Sequence, residues 1–221
     1  MARLLEQWQM ADVTHDAVLE PGGLGHEMHE STGIDNRKLG MWLFLSSEFL
    51  FFGALITNYL LYSHRAGFDG VYPAEVYDIP FTSVSSFVLL MSSLTMVLGH
   101  HALSRNDQNG ARTWIFATAA LGSVFLGGQV FEFTTFIVEH GMKLSTNPAA
   151  SAFYVLTGFH GTHVAIGVIM LLSLWGISRA RAGLSDKQGL NVELVGLYWH
   201  FVDIIWIVIF TVVYLISVPP K

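Results

Sequence analysis

Five long apolar segments follow one another along the chain, each separated from the next by a short polar stretch. They cover residues 39–63, 80–103, 113–139, 151–178 and 192–217. Each is close to the ~20 residues that a helix needs to cross ~30 Å of hydrocarbon. The connections contain the Gly, Pro and Asn residues that commonly end helices. The pattern predicts an all-α membrane protein in which residues 39–217 form one bundle of five transmembrane helices.

The two ends of the chain lie outside these segments. Residues 1–38 are polar and acidic, and they contain no apolar core of signal-peptide length. We expect them to form an N-terminal tail, and residues 218–221 to form a short C-terminal tail. No internal repeat is visible, so the inverted repeats of many transporters are not expected.

Composition narrows the class of protein further. Hydrophobic residues make up 52% of the chain and charged residues only 13%, which is too apolar for an ordinary soluble domain. The net charge of -6 argues against a nucleic acid partner. The chain has no Cys, which excludes disulfides, Fe–S clusters, thiolate zinc sites and a thiolate-bridged copper centre. Any redox metal would therefore depend on His.

Basic residues are unevenly distributed between the two sets of connections. Eight of the 11 Lys and Arg residues lie in the N-terminal tail and in the second and fourth connections, whereas Arg65, Lys143 and Lys221 lie on the other side. Because Lys and Arg beside short loops stay in the cytoplasm, we expect a cytoplasmic N-terminus and an external C-terminus. An odd number of spans agrees with that assignment.

Glu48 lies well inside the first apolar segment, among aromatic and aliphatic neighbours. An ionisable side chain at membrane depth costs roughly 2.5–3.5 kcal/mol, so it should face protein or water and have a partner. One hypothesis is a neutral carboxyl that hydrogen-bonds a neighbouring helix. The other is a proton-handling site.

Further polar residues share helix faces in the last three segments. Gln129, Glu132 and Glu139 are spaced to lie on one face of the third. His160 and His163 lie one turn apart on the fourth, where Gly158, Gly161 and Gly167 would let a helix approach. His200 and Asp203 share a face of the fifth. We expect a buried acid–base network of Glu132, His160, His163, His200 and Asp203.

Three interpretations of this network remain open from the residues alone. The imidazoles could ligate haem, or together with the carboxylates a metal such as iron or zinc. The network could also form a proton or ion pathway, as in a stand-alone carrier. Finally, it could be a polar clamp between helices, in which His163 and Asp203 hydrogen-bond each other.

These residues occur in stretches that resemble cytochrome c oxidase subunit III, in the order found in that family. The four stretches are residues 42–64 around Ser47-Glu48, 128–133 (Gly-Gln-Val-Phe-Glu-Phe), 157–167 (Thr-Gly-Phe-His-Gly-Thr-His-Val-Ala-Ile-Gly) and 198–210 (Tyr-Trp-His-Phe-Val-Asp-Ile-Ile-Trp-Ile-Val-Ile-Phe). With the intervening spans, the resemblance covers most of residues 39–217.

The resemblance implies a non-catalytic subunit of a proton-pumping haem-copper oxidase in a bacterial cytoplasmic membrane. Its partners would be the catalytic subunit I, subunit II and lipids, with haem and copper in the partner subunits and no cofactor or metal in this chain. The family supports proton uptake and durability of subunit I, and it has been linked to phospholipid binding and oxygen access. Glu48 matches the family's buried, carbodiimide-reactive glutamate, whereas Glu132, His163, His200 and Asp203 look structural.

One departure from the family concerns the first two helices. Many members have seven spans, and this chain resembles them from the third span onward, so we expect the missing helices to be fused to another subunit or absent. The phospholipid-holding cleft beside those helices cannot be built from this chain alone. The same subunit of a quinol oxidase, or an accessory protein of nitric oxide reductase, remains an alternative function.

Overall fold

The computed structural model describes residues 35–63, 65, 67, 69–180 and 186–216 of the chain. Its helices are α1 (Asn36–Ser63), α2 (Pro73–Val76), α3 (Ile79–Ser104), α4 (Gln108–Val138), α5 (Pro148–Ala180) and α6 (Asp186–Ile209), followed by a π-helical segment over Phe210–Ile216. Of the predicted tails at 1–38 and 218–221, residues 1–34 and 218–221 lie outside the described residues, whereas residues 36–38 belong to α1. The described residues from Arg37 onward belong to one compact unit that contains the bundle.

Five of these helices are long and apolar enough to cross a membrane, which confirms the predicted all-α bundle of five spans. We call the end that carries Arg105, Arg112 and Arg179 the basic end. Because α1, α4 and α6 start there and α3 and α5 finish there, consecutive spans run in opposite directions. α3 packs against α4 and α6, and α5 packs against the same two helices.

Caps and prolines explain where several helices begin. Pro80 occupies the first turn of α3, where a missing N–H costs nothing, and the Asp78 carboxylate accepts a hydrogen bond from the N–H of Phe81. The Asp107 carboxylate accepts from the N–H of Gly110 and starts α4 at Gln108. The helix therefore begins before the apolar segment predicted from residue 113, because the Asp107 cap extends it through Asn109 and Gly110.

α1 lies at the edge of the bundle and buries a single narrow stripe. Its buried residues are Leu45, Phe52 and Tyr59, which recur every seventh position, whereas Leu43, Phe49 and Leu50 are exposed. A seven-residue repeat is the spacing that keeps one seam of a helix against its neighbours. At the basic end, the Lys38 ammonium lies 2.7 Å from the Glu193 carboxylate and ties α1 to α6.

Buried Trp side chains of α6 hydrogen-bond serines of α3 across the centre of the bundle. The indole N–H of Trp199 donates to Ser92 Oγ at 3.0 Å, and that of Trp206 donates to Ser86 Oγ at 2.9 Å. A buried indole N–H requires such an acceptor. These pairs fix the register between the antiparallel α3 and α6.

The connections at the end opposite the basic end are held by Asn147. Its side-chain amide donates to the carbonyl of Val71 at 3.0 Å, and its oxygen accepts from the N–H of Ala150 at 2.8 Å. The Asn147 side chain therefore caps α5 and also hydrogen-bonds the connection between α1 and α3. Tyr77 lies just beyond α2.

Candidate functional site

Glu48 of α1 pairs with His163 of α5 inside the spans. Glu48 Oε2 lies 3.2 Å from His163 Nε2, and the two side chains are 20% and 14% exposed, respectively. The other ring nitrogen, Nδ1, lies 2.8 Å from the carbonyl oxygen of Phe159, one turn earlier on α5. The carboxyl that looked isolated in the sequence therefore has an imidazole partner on another helix.

Hydrogen-bond geometry fixes the number of protons in this pair. A carbonyl oxygen only accepts, so His163 Nδ1 must carry a hydrogen. The contact between Nε2 and Oε2 then requires one more proton, which belongs either to a neutral carboxyl or to an imidazolium beside a carboxylate. Both forms have zero net charge, so the proton can move between Glu48 and His163 without changing the charge of the pair.

Aromatic rings enclose the Glu48–His163 pair. The imidazole packs edge-on against Phe52 at a centroid distance of 5.1 Å and is stacked with Tyr198 at 6.5 Å. The hydroxyl of Tyr198 donates to the backbone carbonyl of His163 at 3.0 Å, which holds α5 against α6. Low polarity around the pair favours forms without net charge.

Glu132 of α4 is held by two hydroxyl groups from other segments. Thr82 Oγ1 donates to Oε1 at 2.7 Å, and the Tyr214 hydroxyl donates to Oε2 at 3.1 Å. Thr82 lies in α3 and Tyr214 in the π-helical segment, so this one buried carboxyl joins three parts of the bundle. Glu139, in contrast, caps α4 at its exposed end.

Tyrosines surround the Glu132 end of the bundle. The rings of Tyr77 and Tyr214 have centroids 4.4 Å apart, and the hydroxyls of Tyr59 and Tyr77 lie 3.0 Å apart. Burial, followed by the neighbouring phenols Tyr59 and Tyr214, raises the pKa of Tyr77 well above its usual value. Tyr77 therefore remains protonated and able to hydrogen-bond Tyr59 at physiological pH.

His200 and Asp203 of α6 meet at one serine of α3. His200 Nδ1 lies 3.2 Å from Ser93 Oγ, and the buried Asp203 carboxyl lies beside the same serine, with its Oδ1 left without a hydrogen-bond partner among the described residues. Ser93 of α3 therefore lies against the face of α6 that carries His200 and Asp203. The alternative in which His163 and Asp203 hydrogen-bond each other does not fit these contacts, because Glu48 and the carbonyl of Phe159 engage both nitrogens of the imidazole.

His160 is fully buried between aromatic rings. Its imidazole stacks on Trp206 at a centroid distance of 4.8 Å and meets Phe125 edge-on at 5.9 Å. Within the described part of the chain, neither ring nitrogen has a hydrogen-bond partner. The nearby Gln129 amide donates to the carbonyl of Thr157 at 2.8 Å, which is the residue three positions before His160.

The expected single network is thus divided among separate helix contacts. Glu132, the Glu48–His163 pair, the His200–Ser93–Asp203 group and His160 each have their own neighbours. Sequence reasoning found every acid and imidazole but missed their hydroxyl partners Thr82, Ser93 and Tyr214. A Ser, Thr or Tyr in a membrane span is too common to be a signal, and only its helix pairing identifies it.

The glycine prediction was correct at two of three positions. A Cβ at Gly161 would lie 2.5 Å from Gln129 Oε1, and one at Gly167 would lie 2.7 Å from the Trp199 ring. Both glycines therefore allow the close approach expected of small residues between membrane helices. Gly158 has no atom within 4 Å of that position, so a neighbouring helix does not explain it.

The imidazoles are poorly suited to binding haem or a metal ion. His163 uses both nitrogens, His200 uses Nδ1, and His160 is sandwiched between Trp206 and Phe125. Across residues 35–63, 65, 67, 69–180 and 186–216, no three His, Asp or Glu side chains are grouped to hold a metal ion. The donor set fits helix-to-helix hydrogen bonding.

Comparison with known families gives the decisive match. The family model described as cytochrome c oxidase subunit III matches residues 2–218. This chain belongs to the cytochrome c oxidase subunit III family. A subunit III is a part of a haem-copper oxidase, an oxidoreductase complex, and the polar contacts described above are therefore those of a multi-pass membrane subunit of such a complex.

Individual members of the subunit III family are similar over most of their length. Cytochrome c oxidase subunit 3 of Thermostichus vulcanus is 40% identical over 83% of this chain and 89% of the relative. That of Synechocystis sp. is 41% identical over 87% and 79%. The probable quinol oxidase subunit 3 of Staphylococcus saprophyticus is 34% identical over 86% and 96%.

Proposed function

We propose that this chain is the subunit III of a proton-pumping cytochrome c oxidase in a bacterial cytoplasmic membrane. In this proposal it binds the catalytic subunit I and subunit II, which carry the haem and copper, and it supports proton uptake and durability of subunit I. The match to the subunit III family over residues 2–218 carries the proposal. A role without redox ligands in this chain is supported by His163, both of whose ring nitrogens form hydrogen bonds, and by His200, whose Nδ1 does.

Cytochrome c is the proposed electron donor. The relatives named cytochrome c oxidase subunit 3 are 40% and 41% identical to this chain, compared with 34% for the relative named as a quinol oxidase subunit. Oxygen consumption by the purified complex, with reduced cytochrome c or with a quinol as the donor, tests this. Turnover with the quinol alone would contradict the choice of donor and leave the subunit assignment intact.

Glu48 is the residue to which we assign a proton-related role. The support is the single shared proton of the Glu48–His163 pair, which can change position without adding net charge to the membrane interior. A pair of that kind can pass a proton or hold one near subunit I. The remaining buried groups, Glu132, His160, His200 and Asp203, are proposed to clamp helices together.

Purification through a tag on this chain tests the assignment. Subunit III should copurify with a haem-bearing partner, which an optical spectrum detects. A homo-oligomer without haem that conducts protons in liposomes would instead support the stand-alone carrier and overturn the proposal.

The role of Glu48 is tested separately in the assembled oxidase. Glu48→Gln keeps a hydrogen-bonding side chain but removes the shared proton. The variant should therefore assemble normally, take up protons more slowly and complete fewer turnovers before it is inactivated. Glu139→Gln, at the exposed end of α4, is the matched control and should behave like the wild type. Equal turnover and lifetime for all three proteins would contradict the assigned role.

A further inference from the structure

A small pocket lies between α3 and α6 towards the basic end of the bundle, and its volume is about 190 Å³. Apolar side chains form most of its wall, and the polar side chains that line it are His100, Glu193 and His200. A cavity of about 150 Å³ with apolar walls holds one benzene ring. The α3–α6 pocket therefore has room for a single six-membered ring with small substituents.

His200 is held in the wall of this pocket by its contact with α3. Its Nδ1 lies 3.2 Å from Ser93 Oγ, and the Asp203 carboxyl lies beside the same serine. Asp203 is only 4% exposed, and its Oδ1 has no hydrogen-bond partner in the part of the chain that the structure describes. Because Ser93 engages Nδ1, a molecule in the pocket meets Nε2 of the imidazole.

The contact with Ser93 lets His200 act either as a donor or as an acceptor towards the pocket. A hydroxyl both donates and accepts, and a neutral imidazole carries its hydrogen on one of its two nitrogens. When Ser93 donates to Nδ1, Nε2 carries the hydrogen and donates to a ligand. When Ser93 accepts from Nδ1, Nε2 accepts from a ligand. The pocket therefore suits a ring oxygen in its carbonyl form as well as in its hydroxyl form.

The second imidazole of the pocket lies nearer to the basic end. His100 is seven residues beyond Ser93 on α3, which is a rise of about 10 Å along the helix. The carboxylate of Glu193 lies 2.7 Å from the Lys38 ammonium, so its charge is balanced. An imidazole towards each end and a balanced carboxylate fit a neutral ring that carries one oxygen at each end.

One wall of the pocket faces outwards from the bundle. Val97 lines the pocket and is 52% exposed, and Leu94, one turn deeper on α3, is 50% exposed. An apolar chain attached to the ring can follow these side chains out of the pocket, and its methylene groups gain free energy from burial against them. This exit favours a ligand dissolved in the membrane over a soluble phenol.

We propose that the α3–α6 pocket binds the ring of a membrane-soluble para-quinol, or of the corresponding quinone, with its apolar chain along Leu94. One ring oxygen binds His200 Nε2, and the other lies at His100. Both forms of the ligand fit, because His200 donates or accepts as the ring oxygen requires. The inference goes beyond the proposed function. It concerns binding alone and leaves cytochrome c as the proposed electron donor.

Photoaffinity labelling of the purified oxidase complex tests the site. The probe is a decyl para-benzoquinone with an azide on the ring, and mass spectrometry of the peptides locates the label. The peptides that contain Met96 and Leu197, which line the pocket, should be labelled. Val97→Trp fills the pocket and should lower this labelling about tenfold or more, because overfilling a packed site is unfavourable. Val84→Trp adds the same ring at an exposed position of α3 outside the pocket and should behave like the wild type.

The contribution of the imidazole is measured with His200→Phe, which keeps an aromatic ring but removes both nitrogens. The concentration of unmodified decyl quinone that halves the labelling should rise about fivefold, the effect of one lost hydrogen bond. The decyl quinol should protect the wild type as well as the quinone does. Val97→Trp leaves Ser93 and Asp203 untouched, so the test does not depend on the stability of His200→Phe.

Three results would overturn the proposal. The first is labelling that is confined to other subunits or that Val97→Trp leaves unchanged. The second is equal protection by decylbenzene, which has the ring and the chain without oxygens and would indicate an apolar surface alone. The third is equal protection by hydroquinone without a chain, which would indicate a site for a soluble phenol. Because every variant is assayed in complexes that contain haem, a failure of the quinol site is distinguishable from a failure of subunit assembly.

Discussion

At the scale of single residues, two buried acids of the spans obtain hydrogen-bonding partners from other helices. Glu48 of α1 meets an imidazole of α5, and Glu132 of α4 meets two hydroxyls. An acid without such a partner would leave unsatisfied polar atoms in a region without water. The partners therefore explain how a mainly apolar bundle tolerates these side chains.

Replacement of Glu48 tests whether its side chain lies at membrane depth. Glu48→Gln should leave the amount of assembled oxidase unchanged, because an amide still hydrogen-bonds His163 Nε2. Glu48→Lys should strongly reduce it, because a cation at membrane depth costs about 2.5–3.5 kcal/mol. The amount of assembled oxidase is measured as the absorbance of the haem that copurifies with the tagged subunit. Glu139→Lys at the exposed end of α4 is the control, and normal assembly of Glu48→Lys would show that Glu48 does not lie inside the spans.

Removing one hydroxyl tests the Glu132 contact. Tyr214→Phe deletes the donor to Oε2 and leaves that buried oxygen unsatisfied, which should destabilise the bundle by about 1–3 kcal/mol. The midpoint of thermal unfolding of the purified complex should fall. Thr211→Val removes an exposed hydroxyl from the same π-helical segment and should leave the midpoint unchanged. Equal midpoints for the two variants would argue against a stabilising Tyr214–Glu132 bond.

The sequence predicted the acids and imidazoles of the site but not how they pair. Glu48 and His163 are separated by 115 positions, and no local spacing connects residues so far apart. The positions of His160, His163 and Asp203 in their spans predict similar depths in the membrane, which suggested one network. Helix rotation decides otherwise, because α5 directs His163 towards α1 and His160 towards Trp206 of α6.

At the scale of helices, the number and order of spans followed from the apolar pattern, whereas their ends followed from capping chemistry. Helix α4 begins five positions before the predicted 113, because Asp107 caps it at Gln108. The apolar pattern did not predict the π-helical segment over Phe210–Ile216. A π turn accommodates an extra residue without interrupting an apolar run, so hydropathy alone does not reveal it.

Small residues between α5 and α6 give a direct test of helix packing. Gly167→Ala places a methyl group 2.7 Å from the buried Trp199 ring, which cannot move aside easily. The expected loss is about 1–3 kcal/mol of stability. Gly158→Ala adds the same methyl group to the same helix with nothing within 4 Å, so it should be neutral or slightly stabilising. The midpoints of thermal unfolding of the two variants are compared with that of the wild type. A smaller loss of stability for Gly167→Ala than for Gly158→Ala would contradict the close packing of Gly167 on Trp199.

At the scale of the whole molecule, the distribution of Lys and Arg predicts that the basic end faces the cytoplasm. The chain has no Cys, so a single introduced thiol can report on each side of the membrane. Ser145→Cys and Ser104→Cys place exposed thiols at opposite ends of the bundle. In intact cells, an impermeant maleimide should label Ser145→Cys and not Ser104→Cys. The reverse labelling would invert the predicted orientation.

The edge position of α1 has a consequence for biosynthesis. α1 leaves the ribosome before α5, and Glu48 then lacks its imidazole partner until His163, 115 residues later, has been translated. At about 5–20 residues per second, that interval lasts roughly 6–23 s. During this time the nascent α1 must shield its carboxyl, in its uncharged form or against the insertion machinery. Its final association with the bundle is therefore a late step, timed by the arrival of α5.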